Sequence, residues 1–161
     1  MPDGNFNDWL ELMPKRIQID SGSFSKCPRA ANISHVAALV NRDSMVLGAH
    51  AAKFWETDPR ARWEVAIDLP TINRQFLVTA ISGSHDILVK DGKTLEILQT
   101  FKRAMPMARQ TIEWVLDRRM FSIPTYFNET DGVKFRVRTV YNDGKEHFCD
   151  ETSWLSPTIS Q

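Results

Sequence analysis

The segment Arg62–Leu69, with the sequence RWEVAIDL, decides the fold class, because its side chains alternate in character. The apolar positions are Trp63, Val65, Ile67 and Leu69, and the residues between them include Arg62, Glu64 and Asp68. Successive side chains of a β-strand point to opposite faces, so the segment predicts a half-buried antiparallel strand. Pro70 follows directly and ends the strand.

The same period of two recurs elsewhere in the chain. Thr111–Asp117 places Ile112, Trp114 and Leu116 on one face. In the later segment, Phe135, Val137, Thr139 and Tyr141 lie on one face and are opposed by Lys134, Arg136 and Arg138. Ile17 and Ile19 begin a shorter strand after Pro14. These patterns predict further strands, with Trp63 and Trp114 in the core.

Turn signals separate the predicted strands. Asp91-Gly92 and Asp143-Gly144 each lie between apolar alternations, which predicts β-hairpins with type I′ turns. Segments 36–40 and 45–48 flank a polar turn at residues 41–44. Asp131-Gly132 precedes a strand that begins at Val133.

The stretch 93–121 is ambiguous, because it is rich in the helix-favouring residues Leu, Met, Arg, Gln and Ala. One long helix would turn the fold into α+β. Pro106 lies in the middle of the stretch and would cost a helix roughly 3 kcal/mol. We therefore expect two strands joined through Pro106.

The fold class predicted from these patterns is mainly β, a small antiparallel β-barrel or sandwich with extended termini. The alternative is α+β with one helix at 93–121. We expect a single domain over residues 1–161, with an N-terminal extension at 1–14 and a C-terminal tail at 150–161.

Composition restricts the function. Lys plus Arg and Asp plus Glu both number 20, and this balance disfavours a dedicated nucleic-acid binder. No apolar run reaches membrane-helix length, and the N-terminus has no apolar signal-peptide core, so no membrane partner is expected. Cys27 and Cys149 are therefore expected to be reduced thiols, with a covalent clip between them as the alternative.

No motif indicates chemistry. The sequence has no phosphate-binding glycine loop and no nucleophile elbow, so we predict no catalytic residue, no cofactor and no metal site. The alternation of His147, Cys149 and Glu151 leaves one alternative, a zinc site with a fourth ligand from Cys27 or His35. The simpler interpretation is a polar strand edge with a half-buried thiol.

Aromatic residues in the terminal segments suggest contacts with partners. The candidate interaction residues are Trp9, Leu10, Leu12, Trp154 and Leu155. Packing onto the protein's own core is the alternative. Lys134, Arg136 and Arg138 could line one face and offer non-specific contact with DNA, although a solvent-exposed face of alternating charge explains them equally well.

The order of these segments resembles the head-closure proteins of tailed bacteriophages, also called stopper or head–tail joining proteins. Asp8–Ile19 is similar to their opening, Val36–Leu47 to their next hairpin, and Asp86–Leu98 to a later hairpin with an Asp-Gly turn. Gln110–Leu116 would be the closing strand, so the resemblance covers residues 8–117.

The resemblance implies a non-enzymatic virion protein, a neck subunit that forms an oligomeric ring under the portal. Its partners would be further copies, the portal or adaptor and the tail, and it would be located in the virion after assembly in the host cytoplasm. Two alternatives stay open: a coat protein of a small virus, and a β-barrel enzyme or ligand-binding domain.

Overall fold

The computed structural model of the chain describes residues 17–18, 33–40, 44–51, 60–81, 86–102, 111–117 and 132–159. These residues form strands β1 Ile17–Gln18, β2 Ile33–Val40, β3 Ser44–Ala51, β4 Ala61–Leu69, β5 Arg74–Ile81, β6 Asp86–Asp91, β7 Ile97–Lys102, β8 Thr111–Asp117, β9 Lys134–Asn142, β10 Glu146–Glu151 and β11 Thr158–Ile159. A short 3-10 helix, Pro70–Ile72, follows β4.

The strands form two sheets around one core. The first sheet has the order β1-β2-β3-β8, and β11 also pairs with β2. The second sheet has six antiparallel strands in the order β10-β9-β4-β5-β6-β7. One hydrophobic cluster joins residues of both sheets, such as Leu47 of β3 and Phe76 of β5. The predicted mainly-β class is confirmed, in the form of two packed sheets.

Strand β4 shows why the alternating pattern was informative. Trp63, Val65 and Ile67 are fully buried in the shared core. The residues between them face away from the core, on the outer side of the six-stranded sheet. The predicted core position of Trp63 is confirmed. For Trp114 the structure describes the backbone, in β8, but not the side chain.

The helical alternative for residues 93–121 is wrong. Strands β7 and β8 occupy this stretch, and they belong to different sheets, at the end of each strand order. Alternation therefore outweighed helix propensity, because each strand has a sheet neighbour that a helix could not have. Pro106 lies outside the described residues.

The hairpins are where the sequence places them, but their turn type differs from the prediction. A type I′ turn needs positive φ at both central residues. Neither Asp91, Gly92 nor Asp143 has a positive φ, whereas Leu95 has φ 61° and Gly144 φ 112°. The β6–β7 connection is longer than two residues because the Asp91 carboxylate binds the backbone N–H groups of Lys93 and Thr94.

The segment after β10 connects the two sheets. The backbone N–H of Thr152 donates to the Val137 carbonyl of β9, and the Val137 N–H donates to Oγ1 of Thr152. Leu155 and Phe135 exchange two backbone hydrogen bonds, so the segment extends the six-stranded sheet. β11 then pairs in parallel with β2 in the other sheet. Residues 152–159, within the stretch predicted as a tail, are thus part of both sheets.

Cys149 lies fully buried in β10 and is disulfide-bonded. The only other cysteine of the sequence is Cys27, which lies outside the described residues. The expectation of a reduced thiol is therefore wrong for Cys149. Next to Cys149, the Asp150 carboxylate accepts a hydrogen bond from the backbone of Ile33, which brings the start of β2 to β10.

Candidate protein-interaction surface

The outer face of the six-stranded sheet carries charges of both signs. Glu64 of β4 lies opposite Arg138 of β9, and Asp68 lies opposite Lys134. Opposite charges at facing positions of neighbouring strands stabilise their pairing. The basic residues that the sequence places on one face are therefore accompanied by acidic residues of β4.

Two arginines, two aromatic rings and one carboxylate form a group where β9 meets β10. This arginine–aromatic cluster consists of Arg136, Arg138, Phe148, Glu151 and Trp154. The guanidinium carbon of Arg136 lies 4.8 Å from the centroid of the Trp154 ring. The guanidinium carbon of Arg138 lies 4.9 Å from the centroid of the Phe148 ring. Both distances are typical of cation–π interactions.

Glu151 is shared unequally between the two arginines. Its Oε2 accepts a hydrogen bond from Nε of Arg138 at 2.9 Å, whereas its Oε1 lies 3.6 Å from Nη1 of Arg136. Charge-assisted hydrogen bonds span about 2.7–2.9 Å, so only Arg138 is bound at full strength.

Both rings of the cluster are exposed. Phe148 is 62% exposed and Trp154 is 37% exposed. Aromatic residues and arginine are enriched at protein interfaces. Stacking also restricts both partners before a contact forms, which lowers the entropy cost of binding. The cluster therefore has the composition and order of a protein contact surface.

A second ionic group borders the cluster on the same face. Nη1 of Arg62 donates to Glu146 at 2.8 Å, and its Nε and Nη2 donate to Glu64 at 3.2 and 3.1 Å. Burial lowers the pKa of Arg62, but the hydrogen bonds and charges of Glu146 and Glu64 outweigh it and raise the pKa above its ordinary value. Arg62 therefore stays charged, and each of its three nitrogen atoms donates one hydrogen bond to a carboxylate.

A separate apolar surface lies at the opposite edge of the sheet. Leu95 and Ile97, in the connection to β7 and at its start, are 58% and 55% exposed. We call residues 91–97 the β6–β7 tip. Its Asp91 has a pKa below its ordinary value of 3.8, because it accepts hydrogen bonds from the backbone of Thr94 and Lys93 and lies near the Arg74 guanidinium.

The structure separates the candidate interaction residues. Trp154 lies exposed in the arginine–aromatic cluster. Leu155 packs against the core and exchanges two backbone hydrogen bonds with Phe135. Trp9, Leu10 and Leu12 lie outside the described residues.

Sequence reasoning did not single out Phe148, Leu95 or Ile97. The sequence did contain a signal for Phe148. In an alternating strand, Phe148 points to the opposite face from His147 and Cys149, and it shares that face with Glu146. An aromatic residue at a position that alternation assigns to solvent is informative. Leu95 and Ile97 were missed because the turn was expected to end at Gly92.

The residues considered for zinc do not converge. A register shift between Phe148 and Asp150 breaks the alternation of β10. Glu151 then binds Arg138 on the outer face, while Cys149 lies in the core and is disulfide-bonded. Within the described ranges, no group of three His, Cys, Asp or Glu side chains is placed to hold a metal ion.

No protein-family model matches the chain, and comparisons with curated proteins and with solved structures find no match. Among the described residues, no helical segment has the length and apolar character of a membrane span.

Proposed function

We propose that the protein is a non-enzymatic virion structural protein, a head–tail joining or neck subunit that assembles into an oligomeric ring. The observation that carries this proposal is the exposed arginine–aromatic cluster on the outer face of the six-stranded sheet. The neck assignment is supported by the sequence resemblance over residues 8–117, and the two segments that resemble the family's hairpins form the antiparallel pairs β2–β3 and β6–β7.

A ring needs two different contact surfaces on each subunit, because head-to-tail contacts close it. The six-stranded sheet offers two such surfaces. The arginine–aromatic cluster lies at the β9–β10 edge, and the β6–β7 tip with Leu95 and Ile97 lies at the β7 edge. Their positions at opposite edges favour a ring over a two-fold dimer.

The charges favour protein over DNA as the partner of the cluster. Glu151 lies within 4 Å of Arg136 and Arg138 at the distances given above, and Lys134 lies opposite Asp68. Binding to a nucleic-acid backbone depends on cations that are free to neutralise phosphates. A surface of balanced charge with exposed rings suits another protein better.

Two double variants test the ring. The first, Phe148→Ser with Trp154→Ser, removes the rings of the cluster. The second, Leu95→Ser with Ile97→Ser, removes the apolar side chains of the tip. We expect the unaltered protein to form rings of defined number in electron microscopy and mass photometry. Each double variant alone should be monomeric.

The mixture of the two variants is the decisive sample. Each variant keeps one intact surface, so the mixture should form a one-to-one dimer and nothing larger. Lys145→Ser, an exposed change outside both residue sets, should leave the ring intact. A monomeric unaltered protein would refute the proposal, and a closed shell would favour the coat-protein alternative.

A further inference from the structure

We propose that Arg136 and Trp154 form a recognition site for a carboxylate, an aspartate or glutamate side chain of a partner protein. This inference rests on the proposed contact role of the arginine–aromatic cluster, and it names the chemistry that the partner must carry.

Arg136 has unused hydrogen-bonding capacity. Its Nε is buried and has no hydrogen-bond partner among the described residues. Its nearest carboxylate oxygen, on Glu151, is 3.6 Å away, beyond hydrogen-bond distance. A guanidinium carries five N–H donors in a planar fork that fits a carboxylate. The side chain of Arg136 is 24% exposed, and its Nη groups make no hydrogen bond to the described residues, so these groups rather than the buried Nε are open to a second carboxylate.

The other arginines of the face are already engaged. Arg138 donates Nε to Glu151 at 2.9 Å, and Arg62 donates three hydrogen bonds to Glu64 and Glu146. Of these three arginines, Arg136 therefore offers a partner's carboxylate the most hydrogen-bond donors that are not already in use.

Trp154 holds Arg136 in place and borders the same site. Its ring stacks on the guanidinium at 4.8 Å and is 37% exposed. A stacked guanidinium keeps its orientation, so a ligand does not have to order it. The indole N–H is a donor that makes no hydrogen bond to the described part of the chain, and it adds a second point of contact for an anionic group.

The local charge fits one carboxylate rather than a polyanion. Two arginines and one glutamate leave the arginine–aromatic cluster with an excess of one positive charge. The neighbouring group of Arg62, Glu64 and Glu146 has an excess of one negative charge. A phosphate backbone lying across the face would meet these carboxylates, whereas a single acidic side chain at Arg136 would not.

The test uses two blocked peptides, acetyl-Gly-Glu-Gly-amide and acetyl-Gly-Gln-Gly-amide. They are titrated into the full-length protein while the Trp154 indole and Arg136 Nε resonances are followed by NMR. Trp154→Phe assigns the indole signal. The glutamate peptide should shift both resonances saturably and bind about tenfold more tightly than the glutamine peptide.

Arg136→Gln should abolish the preference for glutamate. The matched control is Arg74→Gln, since Arg74 also stacks on an aromatic ring, Phe76, and also has a carboxylate 3.6 Å away, on Asp91. Phe76 is fully buried, so Arg74 lacks the open ring of Trp154. Equal losses in the two variants would show a general charge effect and overturn the proposal.

One further outcome would also overturn the proposal. Inorganic phosphate that binds more tightly than the glutamate peptide would assign the site to a phosphate-bearing partner. Shifts that appear when the protein alone is concentrated, and disappear in Arg136→Gln, would identify a second copy as the source of the carboxylate, as the proposed ring requires. If the protein forms a ring but shows no preference for the glutamate peptide, only this inference is refuted. If the protein stays monomeric but binds the glutamate peptide, only the proposed ring is refuted.

Discussion

Oδ2 of Asp150 accepts a hydrogen bond from the backbone N–H of Ile33 at 2.8 Å, in the interior of the protein. The bond joins β10 of the six-stranded sheet to β2 of the other sheet. Oδ1 of the same carboxylate accepts the backbone N–H of Glu151 at 2.9 Å. One buried side chain therefore links two strands that lie in different sheets and are far apart in sequence.

Removal of this carboxylate should destabilise the protein. Asp150→Ala leaves the Ile33 N–H buried without an acceptor, which costs about 1–3 kcal/mol of the free energy of unfolding. Asp150→Asn keeps one carbonyl oxygen and should lose less. Urea unfolding followed by tryptophan fluorescence measures both. An alanine variant as stable as the unaltered protein would show that the bond contributes nothing.

Reduction should lower stability as well. Cys149 is disulfide-bonded, and Cys27 is the only other cysteine of the sequence. We expect a bond between the two, which would close a long loop and contribute about 2–5 kcal/mol. Urea unfolding with and without a thiol reductant measures the loss. Cys27→Ser keeps the core packing of Cys149 and should unfold at the same urea concentration with and without reductant. A reductant effect of equal size in Cys27→Ser would contradict the assignment.

The β6–β7 tip should show an acid-dependent contribution from Asp91. The pKa of Asp91 is lower in the folded protein than its ordinary value of 3.8. The charged carboxylate therefore stabilises the fold above pH 3.8, and this contribution is lost as the pH falls through the folded-state pKa.

Asp91→Asn resembles the protonated carboxyl and isolates this effect. The variant should be less stable than the unaltered protein at neutral pH, and the difference should disappear at pH values well below 3.8. Urea unfolding across this range measures it. A difference that stays constant in acid would mean that the charge of Asp91 is not responsible.

Gly92 is required for a close approach rather than for an unusual φ. A Cβ at this position would lie 2.8 Å from Cβ of Gln75 and 2.9 Å from its carbonyl carbon. The backbone N–H of Gly92 also donates to the Gln75 carbonyl at 2.8 Å, so the two strands cannot separate freely. Gly92→Ala should cost about 1–3 kcal/mol of the free energy of unfolding.

The neighbouring change Lys93→Ala is the control for Gly92→Ala. Lys93 is exposed, and its substitution should change stability by less than about 0.5 kcal/mol. Urea unfolding compares the two variants. Equal stabilities would indicate that the backbone near Gln75 shifts to accommodate a methyl group.

The fold class was predictable because alternation reports directly on burial. In β4 the apolar residues Trp63, Val65, Ile67 and Leu69 are buried in the core, although Glu64 on the outer face is buried too, and Pro70 ends the strand as expected. The turn geometry was not predictable from Asp-Gly alone. The Asp91 side chain can bind backbone N–H groups beyond the glycine, and this competes with a two-residue turn.

The candidate site was predictable only in part. Trp154 was singled out by its aromatic character in a terminal segment. Its neighbours Arg136 and Glu151 were not linked to it, because they meet only through the pairing of β9 with β10 and the segment that follows. Side-chain pairs of this kind depend on register, and one bulge in β10 is enough to change which residues share a face.

The connection formed by residues 152–159 has a consequence for synthesis. Strands β2 and β9 both gain a neighbour from this segment, and β2 was made more than a hundred residues earlier. On the ribosome, β2 can pair with β3 early, but its edge at Leu39 and Val40 cannot pair with β11 until residues 158–159 have emerged from the exit tunnel. We therefore expect slow, late folding and a dependence on chaperones that shield the nascent chain.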